Sequence, residues 1–256
     1  MISDRGFWRA AQVMIGEEGI MDRDVNRLLK TIGTIVVILI ILLFSISSTV
    51  AEEKRVDIGS LIKELMQMRI EPTVRTMAVW LPTELFEAAF AAHGVPESRA
   101  TPILDLLRPY TIIMLNKADV GPMGAQTFVS EPDLRRDTRL VDAAGNRYTP
   151  IQANEIPPDI NILLENMRPA IERSAGPAGK HMYLMVFWSA NKTGARIGEA
   201  TRQGRFSVAI TDQMLHWRTP LGSLVPPKKD PMTGEILSGA WTYSPWTGVK
   251  LVPVEQ

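Results

Sequence analysis

The sequence predicts an α+β fold that is mainly β, with an antiparallel sandwich as its central part. Three observations support this prediction. Hydrophobic residues make up 45% of the chain and charged residues 22%, a composition that allows a packed core. Strand-like runs outnumber helical ones after residue 108. These runs do not alternate regularly with helices, as the strands of a doubly wound parallel sheet would.

The first part of the chain, residues 1–51, is interpreted as a leader with a signal peptide or a membrane anchor. Residues 31–51 carry no charge and follow basic residues. Their length suits a membrane-spanning helix, while the ending Thr49-Val50-Ala51 suits cleavage by signal peptidase. Residues 17–19 read Glu-Glu-Gly, which codons containing a ribosome-binding sequence can encode, so we hypothesise that translation starts at Met21.

Residues 52–108 are predicted to form a helical segment. Ser60 is expected to cap a first short helix and Thr83 a second one. A third short helix is expected at residues 101–107. Between the first two helices, residues 73–82 are rich in β-branched and aromatic side chains and are expected to be extended.

Residues 109–225 are predicted to form the β-sandwich domain. A β-hairpin is expected at residues 138–151, where Gly and Asn in the connection suit positive φ. The most hydrophobic run, residues 181–190, is expected to be the central strand. Residues 205–221 are expected to supply a final pair of strands.

One helix is expected to interrupt these strands at residues 158–169. Asp159 is expected to cap this helix, and Pro169 is expected to end it. Its inward stripe would consist of four apolar residues three or four positions apart: Ile160, Leu163, Leu164 and Met167.

The sequence LVDAAGNRYTP, followed by a long strand of MYLMVFW type, resembles the immunoglobulin-like accessory domains of bacterial exported proteins. The resemblance covers residues 110–212. It implies an immunoglobulin-like sandwich that serves as a scaffold or a binding module, and it implies no reaction.

Residues 226–256 contain one short phrase twice, D-P-M-T-G and then S-P-W-T-G. Its spacing resembles the two knuckles of a zinc ribbon, whose ligand positions would be Asp230, Thr233, Ser244 and Thr247. Hydroxyl groups are poor zinc ligands and the chain has no cysteine, so we predict a ribbon-like hairpin without metal. The alternative is a plain hairpin in which two similar turns arose independently.

Each of these turns is expected to form by the same means. The first side chain accepts a backbone N–H, and the closing glycine adopts a left-handed conformation. Trp241, Tyr243 and Trp246 are expected to supply apolar burial in place of a metal. If they are exposed together instead, they form a binding patch for a saccharide or a protein.

The sequence contains no motif typical of catalysis. His93, His181 and His216 lack metal-ligand spacing, and no nucleophile elbow G-x-S-x-G occurs. Lys plus Arg equals Asp plus Glu at 28 each, so net charge gives no reason to expect nucleic-acid binding. We predict no cofactor.

These observations together predict an exported, non-enzymatic binding or assembly protein of the bacterial cell envelope. It would be periplasmic, or anchored in the inner membrane with its C-terminal part outside the cytoplasm. The expected partner is an envelope protein or a saccharide, with membrane contact through the N-terminal segment if that segment is uncleaved. One alternative is an exported hydrolase with a site assembled from loops around His216 and Asp212. Another is a structural subunit of a membrane complex.

Overall fold

The computed structural model describes residues 56–254. The predicted leader, with its signal peptide or anchor and its start at Met21, lies outside the described residues. Helices and antiparallel sheets are mixed within them and strands predominate, which confirms the α+β, mainly β class at that level. Between residues 56 and 254, no helix has the length and apolarity needed to cross a membrane.

The described residues form five helices and twelve strands. The helices are α1 (Ile58–Leu65), α2 (Thr83–Ala92), α3 (Glu97–Leu107), α4 (Glu131–Asp137) and α5 (Pro158–Ser174). The strands are β1 (Met66–Ile70), β2 (Val74–Leu81), β3 (Tyr110–Val120), β4 (Gln126–Phe128), β5 (Thr138–Val141), β6 (Arg147–Tyr148), β7 (Tyr183–Trp188), β8 (Gly204–Ile210), β9 (Gln213–Thr219), β10 (Lys228–Lys229), β11 (Ile236–Leu237) and β12 (Val252–Pro253).

The first sheet has five strands and is centred on β3. One edge of β3 pairs with β2, and the other pairs with β7 and then with β4. Nine successive residues of β3, from Tyr110 to Ala118, are buried. The prediction that residues 181–190 hold the central strand is wrong, because β7 pairs only with β3. A hydrophobic run indicates that both faces of a strand are buried. It does not indicate whether the strand lies at the centre or at the edge of its sheet.

The strand β2 confirms the extended conformation expected for residues 73–82. All eight of its residues pair with β3, so the first sheet crosses the predicted boundary at residue 108. One hydrophobic core extends from Leu61 to Leu221. The division into a helical segment at residues 52–108 and a sandwich domain at residues 109–225 stays a prediction.

The second sheet has four strands in the order β6-β5-β8-β9. It contains the predicted hairpin, with Gly145 at a φ of 86°, and the predicted final pair. The ring of Phe206 lies 4.8 Å from that of Trp80 in the first sheet and 5.2 Å from that of Trp217. Trp217 also donates its indole N–H to the carbonyl of Leu65 at 2.9 Å. The two sheets are therefore joined by large buried rings.

Four predicted helix boundaries are wrong. Thr83 and Asp159 lie inside α2 and α5, whose N-terminal capping residues are Pro82 and Pro157, and neither side chain forms a capping hydrogen bond. Asp57 rather than Ser60 caps α1, because its carboxylate accepts the N–H of Gly59 while Ser60 lies inside the helix. The helix α5 continues through Pro169 to Ser174. Its predicted inward stripe is buried as expected, so packing against the core outweighs the hydrogen bond that a proline removes.

The last part of the chain forms a small third sheet in the order β11-β10-β12. We call residues 226–254 the C-terminal unit. Its only buried apolar side chains are Leu237 and Leu251, and two of its five buried residues, Asp230 and Ser244, are polar. Apolar burial is therefore a minor part of what holds this unit together.

Candidate functional site

The C-terminal unit is built on two turns with matching hydrogen bonds, which we call the first knuckle (Asp230–Gly234) and the second knuckle (Ser244–Gly248). Each first residue accepts a closing N–H from its glycine, at 2.8 Å in the first knuckle and 3.0 Å in the second. Gly234 and Gly248 have φ values of 76° and 71°. These left-handed glycines confirm the turn geometry expected from the repeated phrase.

The side chain at the head of each knuckle also binds the backbone as expected. Asp230 accepts the N–H groups of Met232 and Thr233 at 2.8 and 3.2 Å. Ser244 accepts the two equivalent N–H groups of the second knuckle, both at 3.3 Å. The second knuckle thus repeats the first with a hydroxyl in place of a carboxylate.

Asp230 joins the two knuckles. It is fully buried, and its second carboxylate oxygen accepts the hydroxyl of Thr247 at 2.7 Å. Hydrogen bonds from Ser244, from Thr247 and from the first knuckle's backbone lower the pKa of Asp230 to about 2, although burial opposes the charge. A charged carboxylate therefore lies where the four predicted knuckle positions converge.

The four predicted ligand positions offer only oxygen atoms to a metal, and Asp230 is the one acid among them. Across the described residues, no three His, Cys, Asp or Glu side chains are grouped as metal ligands would be. The expectation that aromatic burial replaces a metal is wrong. Trp241, Tyr243 and Trp246 are 43%, 60% and 72% exposed, so the network around Asp230 holds the knuckles together instead.

A groove of about 1160 Å³ separates the C-terminal unit from the second sheet. Trp241 and Tyr243 line it on one side, and Arg205, His216 and Arg218 line it from β8 and β9. Two exposed aromatic residues of the C-terminal unit and three basic residues of the second sheet therefore line the same groove. Trp246, the third residue of the predicted patch, does not line this groove.

The two arginines are direct neighbours across β8 and β9, since Arg205 pairs with Arg218 in the antiparallel register. Side chains in such pairs lie about 5 Å apart at their Cβ atoms, and like charges there destabilise the sheet. Both side chains are exposed. Within residues 56–254, neither forms an ion pair or a hydrogen bond through its guanidinium. The groove thus holds two neighbouring positive charges that no described carboxylate pairs with directly.

The acid that lines the groove, Glu64 of α1, is already engaged. Its carboxylate accepts the N–H of Gly222 at 2.6 Å and both the N–H and the hydroxyl of Ser223, at 3.0 and 2.7 Å. Gly222 in turn lies against the C-terminal unit, since a Cβ there would collide with the hydroxyl oxygen of Ser238. The segment that Glu64 holds therefore packs against the C-terminal unit beside the groove.

His216 and Asp212 are not brought together. Asp212 lies in the β8–β9 turn, 3.5 Å from the ammonium group of Lys117, and His216 is four residues along the strand, roughly 13 Å away at 3.3 Å per residue. The ring of His216 instead contacts the hydroxyl of Ser207 through Nδ1 at 2.8 Å. In a Ser-His-Asp triad the serine contacts Nε2 and the carboxylate contacts Nδ1, so this pair has the opposite orientation.

The other two histidines have structural surroundings. His93 is the capping residue at the end of α2, and burial lowers its pKa. His181 ends a 3-10 helix before β7 and stacks on Phe128 with ring centroids 4.2 Å apart.

The sequence did not indicate the arginine pair, although one local signal was present. A two-residue turn at Thr211–Asp212, with Thr211 at a φ of 55°, connects β8 to β9 directly. Folding the chain at this turn places Arg205 opposite Arg218. The sequence thus predicted the strand pair that carries both arginines. Only the register between the two strands shows that the arginines are neighbours.

Comparison with protein-family models, with curated proteins and with solved structures found no match. The resemblances to a zinc ribbon and to immunoglobulin-like domains therefore stay predictions. The candidate site is defined by the geometry of this chain alone.

Proposed function

We propose that this chain is an exported, non-enzymatic binding or assembly protein of the bacterial cell envelope, with the groove as its ligand site. The observation that carries the proposal is the exposure of Trp241 and Tyr243 beside the unpaired Arg205 and Arg218. Exposed aromatic rings next to arginines are the side chains enriched where proteins bind ligands and partners.

The rest of the fold would act as the support of this site. We propose an immunoglobulin-like arrangement of the two sheets, supported by their antiparallel pairing and by the ring contact between Trp80 and Phe206. We also propose that the C-terminal unit is a zinc ribbon that has lost its metal. Its support is the matching hydrogen bonds of the two knuckles and the buried Asp230 between them.

Photo-crosslinking in intact cells tests the ligand site. A photoreactive phenylalanine analogue replaces Tyr243 in the groove or, as the matched control, Trp188, which is 55% exposed on β7. We expect a discrete adduct from position 243 and none from position 188. Adducts from both positions, or from neither, would contradict the proposal.

The export of the protein is tested separately. Fractionation of cells that produce the full chain should place it in the envelope or the periplasm, and intact mass should show whether residues 1–51 are removed. A retained anchor would favour the structural subunit of a membrane complex. Recovery in the cytosol with a mass that includes Trp8 would refute export.

One observation favours the alternative of an exported hydrolase, namely the contact between Ser207 and His216. No carboxylate contacts this histidine among the described residues, so the orienting group of a triad is absent there. Hydrolysis of a chromogenic ester that disappears in Ser207→Ala but persists in Ser223→Ala would support the hydrolase. Equal background activity in both variants would exclude it.

A further inference from the structure

The chemistry of the groove narrows the class of ligand, in an inference that rests on the proposed binding function. We infer that the groove binds a saccharide that carries a carboxylate. The arginine pair would hold the carboxylate, and the exposed rings of Trp241 and Tyr243 would cover the adjoining sugar ring.

The two charges of the arginine pair favour the binding of one anionic group. Arg205 and Arg218 oppose each other across β8 and β9, where two like charges destabilise the sheet. An anion between them converts this repulsion into two charge-assisted interactions. Each guanidinium presents a planar fork that matches a carboxylate, so a planar anion is the best fit. Proteins break such local rules mainly at functional sites.

The aromatic residues of the groove favour a ligand that contains a ring. Trp241 and Tyr243 are partly exposed, and the backbone of Trp241 is held by the ammonium group of Lys228, which donates to its carbonyl at 2.7 Å. Tryptophan and tyrosine offer rigid apolar faces together with a polar edge. A pyranose ring has C–H groups on its faces and hydroxyls at its edge, and so complements both features.

The charges of the groove disfavour a polyanion. Two arginines and a histidine face it, whereas a nucleic acid needs a continuous positive track along its backbone. The carboxylate of Glu64 adds a negative charge to the lining. Arg139 lies on the same outer face of the second sheet but outside the groove, and its guanidinium is bonded to the carbonyls of Arg136 and Thr138 at 2.5 and 2.7 Å.

Titration calorimetry on the purified chain tests the inference with uronate trisaccharides built from galacturonate, glucuronate or mannuronate. The methyl ester of each is the matched ligand, since it keeps the ring and removes the charge. We expect at least one uronate to bind and its ester to bind about tenfold more weakly or worse, the usual size of a charge-assisted hydrogen bond. Equal affinity of ester and acid, or no binding of any uronate at millimolar concentration, would overturn the inference.

Two pairs of variants locate the binding. Arg218→Gln should weaken uronate binding about tenfold or more, while Arg139→Gln should leave it unchanged. Trp241→Ala should also weaken it, while Trp188→Ala should not. Circular dichroism and thermal melts identify variants that fail to fold, and Arg218→Lys, which keeps the charge without the fork, provides a second test with intermediate affinity expected. Equal losses in the groove variants and their controls would overturn the inference.

The binding of other polyanions is the last test of the ligand class. Single-stranded oligothymidylate and a polyglutamate peptide should bind more weakly than the best uronate, and either one binding more tightly would overturn the saccharide assignment. The proposed function survives that result if crosslinks still form at position 243. The loss of those crosslinks would refute the proposed function itself.

Discussion

The two-sheet body and the C-terminal unit are both β structure, but different forces hold them together. In the body, Trp80, Phe206 and Trp217 are at most 2% exposed and pack ring against ring. In the C-terminal unit, the tryptophans are exposed and the most buried side chain is the carboxylate of Asp230. A small β unit can therefore close around a satisfied charge where it lacks the apolar area to close around a core.

The change with the largest expected effect would return a metal to the C-terminal unit. A variant with Asp230→Cys, Thr233→Cys, Ser244→Cys and Thr247→Cys should bind one zinc ion, since structural sites of this type bind with apparent free energies of about 10–16 kcal/mol. The cobalt-loaded protein should show the visible spectrum of a tetrahedral tetrathiolate site.

The matched control moves one cysteine in each knuckle by one position, to Met232→Cys and Trp246→Cys in place of Thr233 and Thr247. This control should bind cobalt weakly and without the tetrahedral spectrum. Equal spectra in both variants would refute the ribbon frame.

The next largest effect is expected in the body. Trp217→Ala should lower the free energy of unfolding by about 3–5 kcal/mol, because it empties a buried ring site, and it also leaves the carbonyl of Leu65 without its donor. Trp246→Ala, at a 72% exposed position, should change it by less than about 0.5 kcal/mol. Chemical denaturation followed by far-ultraviolet circular dichroism measures both. Similar losses would mean that the two regions do not differ as described.

A smaller and local effect is expected from Asp230→Ala. The knuckles lose the group that joins them, so amide hydrogens in residues 230–251 should exchange roughly tenfold faster or more, while those of β3 keep their protection. Glu235→Ala, at an exposed neighbouring position, is the control. Faster exchange throughout the chain would show that the body depends on the C-terminal unit.

The smallest expected effect is a dependence on pH. The folded state lowers the pKa of Asp230 to about 2 from its ordinary 3.8, so the charged form stabilises the knuckles. This contribution is complete above the unfolded pKa and is lost as the pH falls through the folded one. The NMR amide signals of Gly234 and Gly248 should therefore report loosening between about pH 4 and about pH 2. An unchanged profile in Asp230→Asn would contradict this cause.

The features predicted correctly from the sequence depend on local signals. The repeated phrase predicted both knuckle turns, and the sequence around Gly145 predicted the hairpin of β5 and β6.

The helix α4 also carried local signals that were overlooked. Ser130 caps it by accepting the N–H of Asp133, and Pro132 and acidic residues occupy its first turn. At seven residues it is too short to show an apolar period.

The features that were missed depend on contacts between distant residues. The position of β3 at the centre of the first sheet is set by its pairing with β2 and β7. The exposure of Trp241 and Tyr243 depends on how little of the chain packs against the C-terminal unit. An aromatic residue near a turn gives the same sequence pattern whether its side chain is buried or exposed. The sequence therefore did not distinguish a small core from a binding surface.

The unequal burial of the tryptophans supplies a built-in optical reporter. Trp80 and Trp217 are shielded from solvent, so they should emit at shorter wavelengths and resist quenching by iodide. Trp188, Trp241 and Trp246 are 43–72% exposed and should emit at longer wavelengths and be quenched readily. Light emitted at the red edge of the spectrum therefore reports in part on the groove, and a bound sugar would register there without any attached dye.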